Sequence, residues 1–147
     1  MVFRDDLDHD CVDLPIDERV VVSVITVAAL RWRPLTPDKK EFKDAEDLER
    51  MRQKIRLVYR MAARYGKTSL VLGAMGCGAY GCPPRRIAEE MKAILCEEEF
   101  KGWFKHIILA IYSKVDNGEG NFRVFREVWA GAGDNGPFKI KEVRDKH

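Results

Sequence analysis

Between the apolar run Ser69-Leu70-Val71-Leu72-Gly73-Ala74-Met75 and the paired prolines Pro83 and Pro84 stands Gly76-Cys77-Gly78-Ala79-Tyr80-Gly81. A buried strand, a glycine loop and a helix start in this order constrain the fold more than any other stretch. Glycine takes positive φ and leaves no Cβ to keep a ligand away, and the unpaired N–H groups of the loop and first helical turn form an anion cradle. A phosphate or diphosphate is the ligand this chemistry fits. A tight strand-to-helix turn can also need glycine for backbone reasons alone.

The flanks fit the cradle reading. Proline loses nothing at a helix N-terminus, and Ile87, Ala88, Met91, Ile94 and Leu95 follow at helical spacing. The next apolar run, residues 106–113, predicts a second buried strand, and a right-handed crossover makes the two strands parallel. The 147 residues suit one domain, expected over 1–131, followed by a flexible connector and a short C-terminal strand over 132–147. Lys plus Arg number 26 and Asp plus Glu 24. Charges so interspersed are not the footprint of a nucleic-acid protein, so direct nucleic-acid binding is not expected. Cys11, Cys77, Cys82 and Cys96 lack metal-site spacing, and His9, His106 and His147 lie apart from them, so neither a metal nor a cofactor is expected. No apolar run approaches the roughly 20 residues of a membrane span and no signal-peptide core is visible, which predicts a cytoplasmic or nuclear chain with reduced thiols.

Upstream, residues 1–4 read as a short strand and residues 5–17 as an acidic loop. Residues 19–29, dense in Val and Ile, predict a central strand buried on both faces. Two prolines, Pro34 and Pro37, then make a loop at its end, from which Trp32 either caps a ligand or anchors its own loop. Leu48, Met51, Ile55, Val58, Ala62 and Tyr65 predict one apolar stripe on a helix over residues 44–65, ended by Gly66. Its other faces carry Arg50, Arg52, Lys54, Arg56, Arg60 and Arg64, read as a solvated surface rather than a polyanion site. Alternation in residues 138–143 predicts an edge strand.

In order, Val2-Phe3-Arg4-Asp5-Asp6, Val24-Ile25-Thr26, the segment from Leu70 through the glycine loop to Tyr80, and the strand at 107–113 resemble the C-terminal half of the microbial-type poly(ADP-ribose) glycohydrolases. The resemblance extends from residue 2 to about 129 and is most specific at the loop. It implies a three-layer α/β/α macrodomain-like fold with a mixed, mostly parallel sheet, truncated on its N-terminal side. It also implies that the backbone of Gly76, Cys77, Gly78, Ala79, Tyr80 and Gly81 holds the diphosphate of ADP-ribose while the Tyr80 ring packs on the distal ribose. The adenine end would lie near Ser113, Asn121, Phe122 and Phe125, although the two phenylalanines also match the core face of a C-terminal helix. ADP-ribose, or a protein or polymer carrying it, is the implied partner.

The chain departs from that family where catalysis resides. The run of three glycines followed by a glutamine and two glutamates lies upstream of the matching segment, and this sequence contains neither; its one glutamine is Gln53. Three readings stay open: a binding protein without hydrolysis; a hydrolase whose acid is Asp5, Asp6, Asp8, Asp10 or Asp13; or an assembly protein whose bared sheet edge pairs with a second copy. Gly76, Gly78 and Gly81 also satisfy a dinucleotide-binding spacing, but the fingerprint opens its domain, whereas a strand and a long helix precede it here, and no acid stands at the required interval. A thiol nucleophile at Cys77 or Cys82 would need a base that no nearby histidine supplies.

Overall fold

A computed structural model describes residues 2, 4, 11–112, 120–130 and 138–143. Helix α1, Ala45–Arg64, buries Met51, Ile55, Tyr59 and Ala62 on one stripe. Met51, Ile55 and Ala62 lie on the predicted line; Asp47 and Tyr59 are buried in preference to the expected Leu48 and Val58, which are partly buried. The Tyr59 hydroxyl donates to the Met91 carbonyl at 3.0 Å, while Tyr65 caps the helix and is exposed. Gly66, at φ +65°, stops it as expected.

Strand β1, Ser69–Leu72, leads through the glycine loop into α2, Pro84–Leu95, and back to β2, His106–Tyr112. The two strands are parallel, with Leu70 opposite Ile107 and Leu72 opposite Leu109, as the strand–loop–helix–strand reading requires. Helix α3, Asn121–Trp129, follows. The last element is β3, Phe138–Val143, which pairs parallel to β2 and forms one edge of the order β1-β2-β3. The C-terminal strand is therefore part of the sheet.

Every second strand residue, Leu70, Ile107, Leu109 and Ile111, is buried in one core with α1, α2 and α3. Phe125 and Trp129, one turn apart on α3, complete it, and each large apolar side chain so enclosed stabilises the fold by about 1.5–3 kcal/mol. The alternate residues face outward: Ser69, His106 and Tyr112 are exposed, and Val71 retains 69% of its surface. The described chain is thus α/β with helices against one sheet face, and the expected third layer is not among the described residues.

The largest departure is at residues 19–29. They form no strand: Val20, Val21 and Val24 are exposed, and β2 rather than this run is the central strand. A run buried on both faces needs two layers around it, and only one is found among the described residues. Its second half still touches the core through Ile25 and Ala29. Near the N-terminus, isolated antiparallel bridges, Val2 to Val20 and Arg4 to Asp13, replace the short strand.

The basic flank of α1 is solvent-facing, as expected, and is also paired with acids. Arg52, Arg56 and Arg60, spaced one turn apart, pair with Glu90, Glu97 and Glu99 at 2.8, 2.7 and 2.6 Å. These pairs fasten α1 to α2 and to the turn beyond it.

Candidate functional site

The glycine loop leaves the C-terminal end of β1, where open α/β sheets form ligand crevices. Gly76 is required by geometry. Its φ is +77°, and a Cβ there would stand 2.7 Å from both the Ala29 Cβ and the Cys82 Sγ. Cys82 closes the loop, its N–H donating to the Gly76 carbonyl at 3.0 Å. Gly81 also has positive φ. Gly78 differs: a Cβ there would meet nothing within 4 Å, so the loop is open above it.

Three successive carbonyls of the loop are bound by the protein. Cys77 accepts from the Asn121 side-chain amide at 3.2 Å, Gly78 from the Gly81 N–H at 3.0 Å, and Ala79 from the Trp32 indole N–H at 2.8 Å. No peptide in the described chain is cis, so each N–H points opposite the carbonyl of its own peptide. The partner groups of those carbonyls are the N–H of Gly78, Ala79 and Tyr80. All three residues are exposed, and none of these N–H groups meets an acceptor among the described residues. Successive backbone N–H groups without a protein acceptor are the kind of donors from which anion nests are built.

Two helices add their positive ends. α2 begins at Pro84, directly after the loop, and α3 begins at Asn121, whose side chain holds Cys77. Neither first turn carries an acid, in contrast to Glu46 and Asp47 in α1. The positive ends of α2 and α3 are therefore not offset locally. The two arginines of the α2 start are committed elsewhere, Arg85 to Glu127 and Arg86 to Glu41. The charges nearest the loop on α2 are thus paired, and what the loop itself offers is backbone donors.

The remaining expected residues divide. Cys77 spends its own N–H on the Ala74 carbonyl and Gly81 on Gly78, so neither donates outward. Tyr80 is partly exposed beside Trp32. Asn121 props the loop through its hydrogen bond to the Cys77 carbonyl. Phe125 is fully buried in the core, which leaves it no face for a base, whereas Phe122 is half-buried beneath the Arg126 guanidinium, 5.7 Å from its ring. Ser113, Asp5, Asp6, Asp8 and Asp10 lie outside the described residues. Asp13 is exposed and pairs with Arg4 at 3.1 Å.

Both loop cysteines are buried. Burial pushes the Cys82 thiol up to about 11 and the Cys77 thiol higher still, and the Cys82 thiol donates to the Leu30 carbonyl at 3.1 Å. Desolvation disfavours both thiolates. No cluster of three His, Cys, Asp or Glu residues suited to a metal ion occurs among the described residues, and no described helix is long and apolar enough to cross a membrane.

Sequence reasoning missed the struts. Trp32 was visible as an aromatic on the right loop, but nothing in its spacing to Ala79 announced the hydrogen bond; Asn121 carried no signal for its role behind Cys77. No protein-family model matches the chain, and neither a curated protein nor a solved structure does.

Proposed function

We propose that the chain binds ADP-ribose or a related nucleotide diphosphate through the glycine loop, as a macrodomain-like relative of the microbial-type poly(ADP-ribose) glycohydrolases. The observation that carries this reading is the row of outward N–H groups at Gly78, Ala79 and Tyr80, fixed by struts from Trp32, Gly81 and Asn121. Hydrogen bonds to a charged acceptor are worth about 1.5–3 kcal/mol each, and donors already aimed need no reorganisation when the ligand arrives. ADP-ribose among the diphosphates is supported by the family resemblance of the loop and its flanks. Hydrolysis would need an acid at the loop, and Asp13, committed to Arg4, supplies none.

Calorimetric titration with ADP-ribose, ADP and NAD tests the reading. Micromolar binding that prefers ADP-ribose, and that Gly78→Glu abolishes while the fold persists, is expected. Binding unchanged in that variant would remove the loop from the site.

A second reading has its own observation. Among the described residues the outer edge of β1 has no ladder partner, and Val71 on this strand is exposed, as are Val20, Val21 and Val24. Such an edge invites pairing with a second copy. A concentration-dependent dimer in sedimentation supports that reading, and a monomer at high concentration removes it.

A further inference from the structure

We infer that Arg31, Trp32 and Tyr80 form a stacking subsite for a planar aromatic ring attached to the bound phosphate, a nucleobase. The inference rests on the loop being a phosphate site, as proposed above. Trp32 retains 69% of its surface although two hydrogen bonds hold it. Its indole N–H donates to Ala79 and its backbone N–H donates to Tyr80, each at 2.8 Å. Its backbone adopts φ +49°, a conformation that bulky residues rarely take. Ile25, Ala29 and Leu30, upstream in the same segment, pack their side chains against the core instead. The indole is thus immobilised without being buried, and a ring that has already lost its rotamer freedom stacks at low entropic cost.

Arg31 supplies the second part. Its guanidinium carbon lies 4.1 Å from the Trp32 ring centroid and 5.9 Å from that of Tyr80. It forms no ion pair with a carboxylate among the described residues, whereas its neighbour Arg33 is committed to the buried Asp47 at 2.7 Å. An uncommitted cation beside two rings draws a phosphate-bearing ligand toward them and stiffens the stack. The indole grips the carbonyl side of the peptide whose N–H side faces the ligand. A phosphate oxygen on the Tyr80 N–H would therefore stand roughly 8 Å from the indole nitrogen, with a hydrogen bond of about 2.9 Å on either side of the peptide. A nucleoside diphosphate reaches that far by passing over Tyr80.

The test separates stacking from phosphate binding. Adenosine, ADP and inorganic pyrophosphate are titrated into the full chain carrying Trp103→Phe, which leaves Trp32 as the exposed indole beside the buried Trp129. Adenosine and ADP are expected to quench the fluorescence, and pyrophosphate to bind without quenching. Trp32→Leu is then expected to weaken ADP roughly ten-fold, the scale of one base–aromatic stack, while pyrophosphate affinity changes much less. Fluorescence indifferent to adenosine and ADP overturns the inference and leaves the phosphate reading to pyrophosphate. Equal loss for ADP and pyrophosphate in Trp32→Leu also overturns it, since Trp32 would then be only a strut. Quenching by adenosine without any binding of pyrophosphate sustains the stack and sinks the phosphate reading.

Discussion

The indole N–H of Trp32 donates to the carbonyl of Ala79 across 47 residues of sequence at 2.8 Å. This bond ties the segment before α1 to the loop before α2, and it decides which way the Ala79–Tyr80 peptide faces. With Asn121 on Cys77 and Gly81 on Gly78, it turns a flexible run of small residues into a fixed row of donors.

The two glycines at the centre of the loop should behave differently. Gly76→Ala forces a non-glycine residue to φ +77° and drives its Cβ into Ala29 and Cys82, so urea unfolding should show a loss of about 2–4 kcal/mol. Gly78→Ala enters open space and should stay within about 0.5 kcal/mol of the parent. Equal losses would mean that the loop is not built as described.

Asn121→Ala removes the strut behind Cys77 and frees its peptide to rotate. Loss of one such hydrogen bond, about 1 kcal/mol, corresponds to a roughly five-fold weaker diphosphate affinity in calorimetry. Unchanged affinity would show that the Gly78 N–H does not contribute.

Much of this could be read from the sequence, because it rested on local chemistry. Pro83, Pro84 and Gly66 mark helix ends wherever they stand, and the spacing of Ile87, Met91 and Ile94 determines a face without tertiary help. Residues 19–29 misled because β-branched density reports a preference for extended backbone, not the presence of a ladder partner and a second layer. The roles of Trp32 and Asn121 were illegible for another reason. Each depends on a contact across more than 40 residues, which no spacing rule encodes.

The Arg–Glu row joining α1 to α2 predicts an acid limb in the stability profile. Hydrogen bonds from Arg56 and Arg60 hold the Glu97 and Glu99 carboxyls below their usual range. The unfolded chain therefore binds these protons at higher pH than the folded one. The stabilisation is complete above the unfolded value of about 4.3 and is lost as pH falls through the lower folded values. Thermal unfolding should weaken below about pH 4.3, and Arg56→Gln should make that limb shallower. An identical limb in the variant would assign acid sensitivity to other groups.

The cysteines predict the opposite limb. With the Cys82 thiol at about 11 and Cys77 above it, the folded chain keeps protons that the unfolded chain releases near 8.5, so stability should fall as pH rises through that interval. At neutral pH, mass spectrometry after iodoacetamide treatment should find Cys96, which is exposed, modified well before Cys77 and Cys82. Labelling of either loop cysteine as fast as Cys96 would restore the thiol as a candidate nucleophile.

The most direct test of the loop as a diphosphate site is the amide spectrum of isotopically labelled protein during titration with ADP-ribose. The N–H resonances of Gly78, Ala79 and Tyr80 should shift together and saturably, moving further than those of Cys77 and Gly81, whose N–H groups are already bonded within the protein. Saturable shifts centred elsewhere, or none at these three amides, would contradict the assignment of the glycine loop as the phosphate-binding element.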